Sequence, residues 1–419
     1  MRGPDRQTIA FAVAVLVAVC GTLALGADGP LASYVGGAAL AGCAVLAGGR
    51  TPMPPAFWIG LGTLAVLGVR GALANWWIAG PELAAMVGIA GAFAVGVQAG
   101  ADTGRARRAM LLLTIALAGL SVAAFAGHVA SPDAVFGRPK PYHAGRLTGT
   151  FLSANTAATL AAFGLVVGLA GLSRAVRGAD GFIRAVEAAG RRGLASGLLS
   201  LFALACLLLT GSRGGLIAGA LGAALVLVPR GGVRGVRGVR LPAVAGAAGL
   251  VLVLLAASGG VLGDRLSDLG AGGSGRGALW AASVAAWFEA PVLGHGLGSF
   301  PRALARQVTV ENAPVLGVQA AAHAAPLQWL VQTGVVGTLL GAATLAALFR
   351  TLVAGLARRR CRWIVRAALA GLFVFCVHGL VDYAFEVPAA TWWLALLCGL
   401  GAGVAGGGGG VRERRASPR

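Results

Sequence analysis

The stretch Ala389-Ala-Thr-Trp-Trp-Leu-Ala-Leu-Leu-Cys-Gly-Leu-Gly-Ala-Gly-Val-Ala405 carries no charged side chain. A helix that crosses a bilayer needs about 20 predominantly apolar residues, because hydrocarbon offers backbone groups no partner except one another. This stretch meets that need once its flanks are included. Outward from it, the same signature recurs at 364–383, 326–349, 241–258, 214–228, 194–210, 150–172, 109–127, 81–99, 56–78, 31–49 and 8–26. The weakest are 56–78, which contains Arg70 and Asn75, and 214–228, which is short. The expected fold is an all-α polytopic membrane protein of about 12 transmembrane helices. One transmembrane domain is expected over residues 1–405, with a disordered, Gly-rich, basic tail over 406–419.

Composition agrees with this reading. Of 419 residues, 57% are hydrophobic and 11% charged, whereas soluble domains carry about 25% charged residues. A mean hydropathy of +0.82 excludes a soluble globular protein, a disordered chain and a disulfide scaffold. Six cysteines without a CxxC pair indicate neither a zinc site nor a disulfide framework. The basic start, Met1 to Arg6, leads into a first transmembrane helix rather than a cleaved leader, because further spans follow.

The net charge of +20 suggests a nucleic-acid partner until the charges are placed. With the N-terminus in the cytoplasm and the spans alternating, 25 of the 34 basic residues fall on the cytoplasmic side. That is the positive-inside bias of a membrane protein. The tract Arg230-Gly-Gly-Val-Arg-Gly-Val-Arg-Gly-Val-Arg240 reads as a cytoplasmic loop facing anionic lipid, and no nucleic-acid partner is expected. Membrane lipids are the expected surroundings.

Two outer segments are long, about 128–149 and about 259–325. Long loops in compact proteins are usually functional or disordered. The second contains two plausible amphipathic helices, Ala278 to Glu289 and Phe300 to Gln307. Its Trp280, Trp287, Phe288 and Phe300 favour an ordered cap between the ninth and tenth spans.

Four patterns at the outer ends carry candidate chemistry. In Leu208-Leu-Thr-Gly-Ser-Arg-Gly-Gly215 a Gly-rich turn places Arg213 at the interface beside a helix N-terminus, a setting that favours phosphate. The bland alternative is a turn arginine that anchors a hairpin. In Gly275-Arg-Gly-Ala-Leu-Trp280 the guanidinium of Arg276 opens a helix, while His295 further on reads as a turn histidine. In Ala321-Ala-His-Ala-Ala-Pro-Leu-Gln328, His323 precedes a span and titrates where a general base is useful, or is a satisfied interfacial histidine. Gln328 and Gln332 follow on the same side. In His378-Gly-Leu-Val-Asp382 the i, i+4 spacing puts two ionisable groups on one helix face. Such groups inside a span mark functional sites, though a structural clamp is an equal alternative.

Taken in order, these motifs resemble the O-antigen ligase-like membrane glycosyltransferases. That family comprises lipid A-core O-antigen ligases, some O-antigen polymerases and bacterial protein O-oligosaccharyltransferases. The matching pieces are Arg146-Leu-Thr-Gly-Thr-Phe-Leu-Ser-Ala-Asn155, Leu209-Thr-Gly-Ser-Arg-Gly-Gly215, Gly275-Arg276 through Pro291-Val-Leu-Gly-His-Gly-Leu-Gly-Ser-Phe300, His323 with Gly334, and His378 with Asp382. The resemblance runs from about 146 to 390. One departure is Ala324-Ala325-Pro326 after the histidine, where many members have Asn or Ser.

The resemblance implies an undecaprenyl-diphosphate-linked glycan as donor and an acceptor hydroxyl, lipid A-core first, otherwise a growing glycan or a protein. It implies a multi-pass protein of the bacterial inner membrane with its site and its large loop facing the periplasm. It carries catalytic roles to Arg213, Arg276 and His323, and substrate-binding roles to Arg146, Asn155, Gln328, His378 and Asp382. The residue chemistry points the same way. A diphosphate leaves well once two guanidinium groups grip its growing charge, and the acceptor hydroxyl needs a base. No cofactor or metal is expected, and the reaction is expected to invert the anomeric centre. No carboxylate pair of the glycosidase kind is evident. A lipid-linked glycan transporter is the alternative of another class. It would want charge in mid-span and inverted repeats, and the spans are nearly free of charge. A scaffold would not need Arg213, Arg276 and His323 to converge, and convergence is the central structural expectation.

Overall fold

The structure is a computed structural model that describes residues 5–27, 29–49, 51–140, 142–176, 182–227, 275–317, 319–357 and 361–407. Its helices are α1 (Arg6–Leu23), α2 (Pro30–Ala47), α3 (Pro55–Ala74), α4 (Trp76–Gly100), α5 (Thr103–Ala130), α6 (Ala154–Ala175), α7 (Phe182–Leu209) and α8 (Arg213–Leu227). After them come α9 (Gly275–Glu289), α10 (Phe300–Ala305), α11 (Ala313–Leu316), α12 (Ala325–Gly355), α13 (Arg362–Gly379) and α14 (Pro388–Gly406). A two-residue hairpin, Ala134–Val135 with Arg138–Pro139, is the sheet among the described residues.

Nine of the described helices are long and apolar enough to cross a membrane, and two shorter apolar helices, Gly193–Leu209 and Arg213–Leu227, accompany them. These match eleven of the expected spans in order. The expected span 241–258, the Arg230–Arg240 tract and the tail beyond residue 407 lie outside the described residues. Span boundaries move where local chemistry moves them. The expected 150–172 span begins at Ala154, because the Ser153 hydroxyl caps the helix by accepting from the Thr156 N–H at 3.3 Å. The expected 56–78 span stops at Ala74, and Asn75 is the cap residue between α3 and α4.

The bundle is built around α14, which is buried along nearly its whole length. It lies against α4, α13, α12 and α1. The approach to α4 is close because glycines face backbone on both sides. A Cβ at Gly399 would meet the Phe93 carbonyl at 2.1 Å, and one at Gly100 would meet the Leu400 carbonyl at 2.3 Å. In lipid, where apolar burial drives little association, such small-residue seams supply the packing. Trp392 and Trp393 fill the rest and anchor their indole N–H groups on the Ala85 carbonyl and the Thr22 hydroxyl.

Alternation of the helices leaves two ends. At the end with the N-terminus, Asp5 pairs with Arg105 at 3.3 Å and Arg174 stacks over Trp363. The opposite end gathers the segments 131–153, 210–212, 290–324 and 380–387. Hydrogen bonds join them: Leu147 N–H to the Leu209 carbonyl at 2.9 Å and Ala325 N–H to the Asp382 carbonyl at 3.1 Å. Of the expected cap, residues 275–317 are described at this end, and 259–274 lie outside the described residues. Helices α9, α10 and α11 bury Leu279, Ala286, Phe300 and Leu316 against Val331 of α12.

Candidate functional site

The site end is organised by side chains that tie one loop to the next. Arg146 donates through Nε to the Thr210 carbonyl at 2.7 Å, and its Nη1 lies 3.2 Å from His143 Nδ1. Lys140 donates to the Arg146 carbonyl at 2.8 Å. Segment 131–153 is thereby pinned onto the α7–α8 turn. Burial, then the charges of Arg146 and Lys140, hold His143 below its ordinary range.

The α7–α8 turn is itself rigid. Gly211 takes φ +57, a conformation open to glycine, and the Ser212 N–H donates to the Thr210 hydroxyl at 3.2 Å. Ser212 caps α8 by accepting from the Gly215 N–H at 3.3 Å. Arg213 stands at the first residue of α8, half-buried, so the sequence placed it correctly at a helix N-terminus.

His378 fills the gap between this turn and α6. Its Nδ1 is 2.7 Å from the Thr159 hydroxyl and its Nε2 is 3.4 Å from the Ser212 hydroxyl. The helix ends at Gly379, so Asp382 does not share a helix face with His378 as the i, i+4 spacing predicted. Asp382 lies in the following turn, fully buried, and among the described residues its carboxylate oxygens have no hydrogen-bond partner of proper geometry. Burial pushes this carboxyl up to about 7, against the pull of the Tyr383 N–H, the Arg276 charge and the Ala384 N–H.

His323 is held at φ 51 on the approach to α12. Its ring meets Tyr383 edge to face, with centroids 5.0 Å apart. The Trp280 indole donates to the Ala322 carbonyl at 3.1 Å, and the Ala322 N–H donates to Gln328 Oε1 at 2.8 Å. Gln328 therefore supports the histidine loop from behind. Among the described residues, Nδ1 of His323 is buried with no hydrogen-bond partner. Burial, followed by Arg276 and His143, holds the imidazole below its ordinary 6.5.

Arg276, exposed in the first turn of α9, lies within electrostatic reach of His323, His378 and Asp382. Arg213 adjoins His378 through Ser212 and Gly214. The structure thus brings Arg276, His323, His378 and Asp382 to one place and sets the Arg213 turn against it. Asn155 is half-buried in the first turn of α6, and its carbonyl accepts from Thr159, which bonds His378. His295 is a turn histidine, bonded through Nε2 to the Ala286 carbonyl at 2.7 Å. Sequence reasoning missed His143, Tyr383, Thr159 and Ser212. Only His143 carried a signal, as a histidine three residues before Arg146 in a long outer segment.

Two apolar cavities lie in the bundle. One, of about 240 Å³, runs between α3, α4, α12 and α14 and is bounded by Phe385 and Glu386, which follow Asp382 in the chain. Gln332, expected beside His323, lines this cavity instead and accepts from the Gly298 N–H at 2.5 Å. The other, of about 330 Å³, lies beneath segment 131–151 and reaches it through Leu147 and Thr148. Among the described residues no group of three or more His, Cys, Asp or Glu side chains is placed to hold a metal ion.

A helical bundle with nine described helices long and apolar enough to cross a bilayer defines a multi-pass membrane protein. Residues 198–342 match the family model described as O-antigen ligase, and this stretch holds Arg213, Arg276 and His323. Over that stretch the chain is similar to the O-antigen ligase family. No curated protein is similar enough to be matched to the chain.

Proposed function

We propose that this protein transfers a glycan from an undecaprenyl-diphosphate carrier to an acceptor hydroxyl at the periplasmic face of the bacterial inner membrane, with lipid A-core as the acceptor. The observation that supports this reading is that Arg276 lies within electrostatic reach of His323 and of His378, which adjoins the Arg213 turn. His323 takes the proton of the acceptor hydroxyl as its oxygen attacks the anomeric carbon. The bond from that carbon to the diphosphate breaks, and the electron pair leaves with the diphosphate. Arg213 and Arg276 stabilise the charge that develops there. Attack opposite the leaving group inverts the anomeric centre. Substrate binding falls to the polar groups around this centre, Arg146, Asn155, His378 and Asp382, directly or through the loops they hold, with Gln328 fixing the His323 loop.

The two guanidinium groups supply the charge that a metal would otherwise bring, so transfer proceeds with EDTA present. The test is transfer from a polyprenyl-diphosphate glycan to lipid A-core in nanodiscs containing EDTA. Product linked to lipid A-core supports the reading. Longer carrier-linked glycan moves the assignment to a polymerase, and glycosylated protein moves it to a protein O-oligosaccharyltransferase. Loss of transfer in EDTA overturns metal independence. Movement of the carrier across the bilayer without transfer assigns a transporter.

A further inference from the structure

We propose that His378 is a positioning residue, one that seats the Ser212–Gly214 turn so that Arg213 meets the diphosphate of the donor. The inference rests on the functional reading above and deepens it.

The surroundings of His378 exclude direct contact with substrate. The side chain is 2% exposed. A neutral imidazole has one donor nitrogen and one acceptor nitrogen. Both are engaged, Nδ1 with Thr159 on α6 at 2.7 Å and Nε2 with Ser212 at 3.4 Å. The ring also abuts the backbone of the turn. A Cβ added at Gly214 would fall 2.9 Å from His378 Cδ2, so glycine there lets the turn lie flat against the imidazole. Ser212 and Gly214 bracket Arg213 in sequence, and Ser212 caps the helix that Arg213 opens. Moving the ring therefore moves the arginine. Thr159 holds the far side of the ring and fixes its rotation.

The geometry separates two conservative substitutions. A glutamine amide reaches as far as Nε2 and can still bond Ser212. An asparagine amide reaches only as far as Nδ1 and bonds Thr159 alone. If His378 acts through the turn, His378→Gln keeps more function than His378→Asn, whichever is the more stable. The lost hydrogen bond sets the scale, roughly a 2- to 12-fold rise in donor KM with a smaller change in kcat.

The experiment measures donor KM, kcat and thermal stability in nanodiscs for His378→Gln, His378→Asn, Ser212→Ala, Arg213→Ala and the double variant His378→Asn with Arg213→Ala. Ser212→Ala removes the same bond with a small change, so it carries the test if a His378 variant fails to fold. The expected result is a raised donor KM in His378→Asn and Ser212→Ala, recovery in His378→Gln, and no added loss in the double variant beyond Arg213→Ala. Losses that add in the double variant overturn the proposal, as do equal values for the Gln and Asn variants or an unchanged KM in Ser212→Ala. Wild-type transfer by Arg213→Ala overturns the functional reading itself and this proposal with it.

Discussion

The carbonyl of Asp382 accepts a hydrogen bond from the Ala325 N–H at 3.1 Å, which fastens the loop carrying His323 to the end of the helix carrying His378. Tyr383 closes the same junction by meeting the His323 ring. Residues more than fifty positions apart in sequence thus form one rigid corner, and the chemistry of the site depends on that corner holding its shape.

The first prediction concerns the base. His323→Ala should lower transfer by about 10²–10⁴-fold while leaving donor affinity nearly unchanged. In the native protein the imidazole is held below 6.5, so it stays neutral and able to accept a proton down to that lower pH. Activity should fall as pH drops through its pKa. Arg276→Gln removes one of the charges that lower it, so the acidic limb of kcat/KM should move up in pH. A limb that stays in place in the variant, read from pH profiles of both proteins, rejects the assignment of the base.

Arginine at position 276 is expected to act as a planar fork. Arg276→Lys keeps the charge and loses the bidentate geometry. Hydrogen bonds to charged groups are worth about 1.5–3 kcal/mol, so transfer should fall by roughly 10- to 150-fold. Equal rates for the lysine variant and the native protein would reduce Arg276 to a source of field alone.

Asp382 sets a pH dependence of stability. Its folded carboxyl titrates near 7 against an ordinary 3.8, so the folded state prefers the proton. Stability from the protonated group is complete below 3.8 and is lost as pH rises through about 7. Asp382→Asn should match the native protein in stability at pH 4 and exceed it at pH 8. Thermal unfolding in detergent at the two pH values reads the difference. A variant no more stable at pH 8 would mean the buried charge is compensated.

The cap is docked by backbone against backbone. Gly294 and Gly334 both have positive φ, and a Cβ on either would lie 2.3–2.4 Å from main-chain atoms of the opposite segment. Gly334→Ala should cost on the order of 1–3 kcal/mol and lower transfer, because the same segment leads from His323 into the bundle. An unchanged melting temperature would show that the segments separate freely.

The spans were legible in the sequence because charge-free length is a property of each segment alone. Arg213 was legible for a similar reason, since a Gly-Ser-Arg-Gly turn between apolar runs leaves an arginine only the helix start. What depended on folding back was not legible. Gln328 reads as facing a shared cavity with His323, but α12 begins only at Ala325 and the amide turns back to hold Ala322. His378 and Asp382 read as one helical face, but the helix ends between them, and Asp382 is carried by the next turn. His143 owes its place to Arg146, which is itself tied to the Thr210 carbonyl, a web that no spacing rule announces.

The buried position of α14 also orders the making of the protein. Among the described helices it is last in the chain, yet α4, α13, α12 and α1 all close on it. During synthesis the earlier helices enter the bilayer with their shared centre missing, and the glycine seam of α4 waits without its counterpart. A ribosome halted after α13 would leave an open ring whose inner faces meet lipid or a neighbouring chain. Quality control in the membrane should therefore recognise truncated chains by that missing pillar, and a separately expressed α14 segment should rescue them.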